Sequence, residues 1–117
     1  MTHSLHYLKT YRERSQISLQ DMAKMIGIDI GSLSKIEKGN RQPQLKTILA
    51  YHLILRIPIE KLFKNQYAET IKGSLANAIL LKDKLLEAMT SPEVSDRING
   101  IDSIIDQLIE LDAVYGK

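Results

Sequence analysis

The sequence contains no cysteine, which excludes disulfides, thiolate zinc sites and cysteine nucleophiles. Tryptophan is absent too, and Phe occurs once; aromatics make up 5% of 117 residues, too few for a stacking platform on single-stranded nucleic acid. Six glycines and three prolines are too few for a turn-rich all-β domain. No apolar run reaches the ~18–20 residues of a membrane span, and no signal-peptide pattern opens the chain, so a cytoplasmic protein without a membrane partner is expected. What remains is globular composition, 44% hydrophobic and 26% charged, in a length that suits one domain or two very small ones. The expected class is all-α.

The net charge of +2 hides an asymmetry. Residues 1–65 hold eleven basic against five acidic groups, a net of +6; residues 66–117 hold five against nine, a net of −4. The first part suits a polyanion, and the second would be repelled by one.

Apolar spacing and stop signals divide residues 1–65 into five short helices. The first spans 4–15, with Leu5, Leu8 and Tyr11 on one face. Ser18-Leu19-Gln20-Asp21 reads as a capping box opening the second, which buries Leu19, Met22, Ala23 and Ile26 and ends at Gly27. Asp29 is an N-cap candidate for the third, which buries Leu33 and Ile36 and stops at Lys38-Gly39-Asn40. The fourth, 44–55, has Leu45, Ile48, Leu49, His52, Leu53 and Leu55 as its apolar residues. Pro58 suits the first turn of a fifth, 58–64, that buries Ile59, Leu62 and Phe63. Helices two and three are joined by a three- or four-residue turn containing glycine, the helix-turn-helix signature.

Residues 5–63 then resemble the Cro/CI-repressor type of helix-turn-helix domain, the XRE family. The resemblance is carried by Arg12, Ser18, Met22-Ala23, Gly27, Leu33, Ser34, Ile36-Glu37, Gly39, Pro43 and Leu62, and by the run SLSKIEKGNRQP. It implies a five-helix lambda-repressor-like DNA-binding domain at 1–65, a structural ion pair between Arg12 and Glu37, and a recognition helix at about 29–38. Three positions depart from the pattern. Leu19 stands where a DNA-contacting Gln is common, His52 where a small Ala is usual, and Arg56 where Gly commonly ends the fourth helix.

With helix three in the major groove, its outward residues are Asp29, Ile30, Gly31, Ser34 and Lys35. Lys35 has the reach and charge for guanine O6/N7, and Ser34 bonds bases or phosphate. Ile30 suits a thymine methyl or a satellite contact with helix two. Gly31 either admits close approach of DNA or is merely tolerated. Lys38, Asn40 and Arg41 are expected on phosphates, as are Ser18 and Gln20 at the start of helix two, where backbone N–H groups favour an anion.

Residues 66–117 read as a helical hairpin, 68–90 and 92–115. Ser91-Pro92-Glu93 is the restart, and Asn99-Gly100 is a candidate break. Ile71, Leu75, Ala78, Ile79, Leu85, Leu86 and Met89 on the first helix face many Ile and Leu on the second, more than two helices can bury. A second copy, giving a homodimer through 66–117, is the simplest cover. The chain's own helices one and five, or a regulatory protein or peptide, are the alternatives. The expected function is a sequence-specific regulator of double-stranded DNA, a repressor by the resemblance, acting as a homodimer on a palindrome. The competing reading is a protein-interaction module, such as an antitoxin or adaptor. Enzymatic chemistry is not expected: there is no phosphate-cradling glycine loop and no metal motif, and His3 and His6 near the terminus read as surface residues. No cofactor is expected.

Overall fold

The computed structural model describes residues 6–88 and 91–116; Leu5, His3 and Met89 lie outside them. The described residues form seven helices: α1 Leu8–Arg14, α2 Leu19–Ile26, α3 Ile30–Glu37, α4 Leu45–Leu55, α5 Ile59–Leu62, α6 Lys64–Glu87 and α7 Pro92–Tyr115. No strand occurs among the described residues, and none of their helices is long and apolar enough to cross a membrane. Two compact units divide the chain, Met1–Gln66 and Tyr67–Lys117.

In the first unit, helices too short to stand alone are held by their ends and by one core. Ser18 Oγ accepts from Asp21 N–H at 3.0 Å, and Asp29 Oδ2 accepts from Ser32 N–H at 3.0 Å. The capping box at Ser18 is only half made: the Asp21 side chain makes no return bond, being one methylene shorter than the Glu or Gln that completes such a box. Gly27 and Gly39 take φ of 85° and 81°, where a Cβ would clash. After α3 the Asn40 N–H bonds to Lys35 O at 2.9 Å and Gly39 N–H to Ile36 O at 3.1 Å, a Schellman closure. Leu8, Met22, Ala23, Ile26, Leu33, Ile36, Tyr51, Leu55 and Leu62 form the buried centre.

Helix α1 begins later than its apolar spacing suggests. Ahead of it the chain is pinned by Tyr7 N–H to Leu62 O at 2.8 Å. His6, expected at the surface, is buried instead. Its Nε2 lies 2.9 Å from Ile36 O at the end of α3, and its ring meets Phe63 edge-on.

The face of α4 also differs from expectation. Thr47 and Tyr51 point inward beside the expected Leu55, while Leu45, Leu49 and Leu53 are exposed. This helix is apolar nearly all round, so spacing alone could not choose the face. Tyr51 completes a buried polar cluster. Arg12 grips Glu37 with both ends of its guanidinium, Nε to Oε2 at 2.8 Å and Nη2 to Oε1 at 2.9 Å. Its Nη1 donates to Ile17 O at 2.8 Å, and the Tyr51 hydroxyl donates to Glu37 Oε2 at 2.5 Å. The bond to Glu37 holds the Arg12 guanidinium above its ordinary value; burial and the same carboxylate push the Tyr51 phenol far up.

The second unit is a helical hairpin. Ser91 caps α7, its Oγ accepting from Val94 N–H, and Pro92 occupies the first turn. The helix runs unbroken through Asn99-Gly100. Helix α6 starts at Lys64, earlier than expected, with only Phe63 between it and α5. The least exposed positions step by four and three: 71, 75, 78, 82 and 85 on α6, and 94, 98, 101, 105, 108, 112 and 115 on α7. That is the seam of a two-helix coiled coil. Tyr67 and Tyr115 meet edge to face, and Lys72–Asp112 (2.8 Å) and Lys82–Asp102 (2.5 Å) bridge the helices. The seam leaves Ile79, Leu80, Leu81, Leu86, Ile104, Ile109 and Val114 exposed.

Arg12→Ala is expected to cost about 3–5 kcal/mol in urea denaturation, because the Glu37 carboxylate stays buried without its cation. Tyr51→Phe deletes a single bond to that carboxylate and should cost about 1.5–3 kcal/mol. If Arg12→Ala proved no worse than an ordinary surface substitution, the pair would not hold the domain. A second expectation concerns pH. Burial lowers the His6 imidazole from its ordinary value of 6.5, against the opposing pull of the Ile36 carbonyl and Glu37. A histidine kept neutral by folding stabilises fully above its unfolded value, and that contribution is lost as pH falls from there through the folded value. Melting temperature should therefore drop as pH falls below about 6.5, and His6→Gln should flatten the fall; equally steep curves for both proteins would reject it.

Candidate nucleic-acid interface

The site is built from α2, the turn 27–29, α3 and the loop to α4. Ala23, buried and small, lets α2 and α3 approach, and Gly27 turns the chain between them. Leu33 and Ile36 seal α3 to the core, which leaves its other side outward. Ile30, Gly31 and Lys35 lie exposed there, and Ser34 is half-buried beside them. Ile30 is 46% exposed; the apolar neighbour that packs on the core is Ile28.

Gly31 has a local reason to be glycine. A Cβ there would sit 3.0 Å from Asp29 Oδ2, the oxygen that caps the helix. A larger residue would press on the cap that starts α3.

Lys38 and Asn40 are exposed at the end of α3, and Arg41 follows in the loop. Arg41 is not a free arm. Its Nη1 donates to Ser32 Oγ at 2.9 Å, tying the loop to the first turns of α3. Four guanidinium N–H donors remain. Ser32 was not legible as part of the site, because nine residues separate it from Arg41 and nothing local couples them.

At the start of α2, Ser18 and Gln20 are exposed. The Ser18 oxygen is engaged as a cap but its hydroxyl proton remains available; the N–H groups of Leu19 and Gln20 have no intrahelical partner by construction. Leu19 is packed against the core, so it supplies apolar contact where a polar side chain would face outward. His52 closes the turn after α4 through Nδ1 to Ile57 O at 2.8 Å. Arg56 takes the left-handed conformation at φ 58°, so the glycine-like geometry is kept without the glycine.

The electrostatic result follows from burial. From residue 30 to 41 the charges are Lys35, Lys38 and Arg41 against Glu37, and Glu37 is consumed inside by Arg12. The outward surface of α3 and its loop therefore presents three cations, with Asp29 as the neighbouring carboxylate.

Residues 8–62 match the helix-turn-helix family. Over 105 residues the chain is 29% identical to the uncharacterized HTH-type transcriptional regulator YqaE of Bacillus subtilis (strain 168), a stretch covering 88% of this chain and 90% of that protein. No solved structure matches the chain. The short α2–glycine turn–α3 unit, the five-helix core around it and these matches agree: residues 8–62 form a helix-turn-helix domain of the Cro/CI-repressor (XRE) type, and both matches support a DNA-binding transcription regulator.

Proposed function

We propose that the protein is a sequence-specific repressor that binds a palindromic operator as a homodimer, α3 being the recognition helix. The observation that carries this reading is the outward surface of α3 and the loop after it, where Lys35, Lys38 and Arg41 are exposed while Glu37 at the end of α3 is neutralised beneath. Ile30, Gly31, Ser34 and Lys35 meet base edges in the major groove. Ser18, Gln20, Lys38, Asn40 and Arg41 hold phosphates and fix the register. Residues 1–65 serve as the DNA-binding domain and 66–117 as the dimerisation module. The large apolar residues left exposed among the described residues of the hairpin support the latter role: their burial against a second hairpin would give a four-helix bundle. A cytoplasmic location follows from the target.

Selection of full-length protein against random DNA at about 150 mM salt, where nonspecific binding fades, should enrich a palindrome with half-sites about 34 Å apart or a multiple of it. Enrichment of nothing by folded protein would end the DNA reading. On the selected site Lys35→Ala should cost about 1–3 kcal/mol and relax base preference at one position, whereas Arg41→Ala should weaken all sequences alike and reduce the salt slope by about one. Equal losses on specific and random DNA for both variants would refute this division of roles. Sedimentation should show a dimer at tens of micromolar, and Ile104→Glu, placing a charge on an exposed position of α7, should give a folded monomer; a wild-type monomer would reject the hairpin as the dimerisation module.

A further inference from the structure

The side of α1 turned from Arg12 borders a basic hollow. Leu8 and Arg12, four residues apart, are the buried row of this helix. Tyr7 with Tyr11, and Thr10 with Arg14, are two further rows with the same spacing. Lys64, the first residue of α6, completes the wall. These five residues line a hollow of about 230 Å³. Its two sides are tied by the backbone, since the Tyr7 N–H bonds to Leu62 O at 2.8 Å, two residues ahead of Lys64. None of the five belongs to the surface proposed for DNA.

Every polar group in this wall can donate a hydrogen bond. There are one guanidinium, one ammonium, two phenols and one threonine hydroxyl, and no carboxylate. Among the described residues neither Arg14 nor Lys64 takes part in an ion pair. Arg14 is nevertheless placed: its Cζ stands 5.3 Å from the centre of the Tyr11 ring, a cation–π contact that holds the guanidinium over the phenol. Tyr7, Thr10 and Tyr11 are half-buried, with Arg14 and Lys64 exposed at the rim.

Two cations without an anion between them suit a group of about two negative charges. A phosphate monoester carries about −1.5 to −2 at neutral pH and three strong acceptor oxygens. A backbone phosphate of DNA carries one charge and has two free oxygens, fewer than this wall can serve. The guanidinium fork matches two phosphate oxygens and the ammonium acts as a point charge beside them. The volume lies below the ~300 Å³ at which drug-sized pockets begin, so the occupant is small.

We propose that this hollow binds a small phosphate monoester, its phosphoryl group held by Arg14 and Lys64 and by the hydroxyls of Tyr7, Thr10 and Tyr11. The bound molecule joins α1 to the start of α6. Helix α1 is also the one whose Arg12 grips Glu37 of α3, so the ligand braces the helix that braces the recognition helix. The site goes beyond the operator-binding reading and does not depend on it.

Phenyl phosphate is the probe, with phenyl sulfate as its singly charged match. In nitrogen-15 NMR of the full-length protein at about pH 7.5, phenyl phosphate should shift the Thr10, Tyr11, Arg14 and Lys64 amide signals together. It should bind with a dissociation constant of about 1 mM or below, and at least about fivefold tighter than phenyl sulfate. No shift at about 10 mM, or equal affinity for the two probes, would overturn the site. Arg14→Gln and Lys64→Gln change exposed side chains, so both should melt as wild type does, yet each should weaken phenyl phosphate binding by at least about tenfold. Undiminished binding by either variant would overturn the assignment. Wild type should melt higher with the probe present, and the variants should gain much less. The DNA backbone is the other source of phosphate. On the proposal both variants bind random DNA as wild type does; a loss of affinity with a salt slope reduced by about one in each would assign the hollow to DNA and overturn the small-molecule site. Selection of no DNA by the wild-type protein would end the operator reading alone, because phenyl phosphate binding decides this one in either case.

Discussion

Three helices of the DNA-binding domain converge on a single carboxylate. Glu37 is the last residue of α3; Arg12 reaches it from α1 with two hydrogen bonds and Tyr51 from α4 with one. The same guanidinium holds Ile17 O, just ahead of α2. Its contribution to net stability is small by comparison with what breaking it would cost, since two ions must be desolvated before they attract. What it supplies is position. A bidentate pair buried at both ends tolerates little displacement, so the C-terminal end of α3 is registered against the rest of the domain by hydrogen-bond geometry, while Leu33 and Ile36 supply the adhesion. The cluster also sets the sign of the outer surface, because an acid spent inside no longer offsets the lysines outside.

An eight-residue helix has no stability of its own in water. Helix α3 is therefore a shape imposed by its surroundings: capped by Asp29, closed by the Schellman turn at Gly39, anchored by Glu37, and braced by His6 on the Ile36 carbonyl and by Arg41 on Ser32. Each brace acts at an end or an edge and leaves the outward strip clear. Gly31 belongs to this logic, since a side chain there would crowd the Asp29 cap.

The parts of this design that depend on neighbouring residues were legible in the sequence. Ser18, Gly27, Asp29, Gly39 and Ser91-Pro92 act within four residues of themselves, and all stand at the helix ends where their chemistry puts them. The Arg12–Glu37 pair was reachable only through the family resemblance, because 25 residues separate its members. Tyr51 was missed for the same reason and for a second one: α4 offers apolar residues on every side, so spacing gave Leu45, Ile48, Leu49, His52, Leu53 and Leu55, of which tertiary contacts bury Leu55, together with Thr47 and Tyr51. His6 looked like a terminal surface residue, and only the position of Ile36 O explains its burial. On the candidate interface, residue identities came from the sequence and the support came from the structure; Ser32 illustrates this, having no signal until the loop folds back.

The hairpin poses the converse problem, a unit whose inner seam is satisfied and whose outer surface is not. Steps of three and four put Ile71, Leu75, Leu85, Ile98, Ile105 and Leu108 along the seam, and ion pairs fix the register at two levels. Exposed pairs of this kind are worth under about 1 kcal/mol each, so they select an alignment more than they hold it. Sequence economy would then favour polar residues everywhere else, yet Leu80, Leu81 and Leu86 on α6 and Ile104, Ile109 and Val114 on α7 remain exposed. Charge narrows what can cover them. This half of the chain carries a net −4, which repels nucleic acid and leaves protein as the natural cover. On the proposed reading, an eight-residue recognition helix contacts too few base pairs to select a site in a genome, and a surface that joins two copies would double that contact. On that reading the apolar excess on the hairpin and the brevity of α3 answer one requirement.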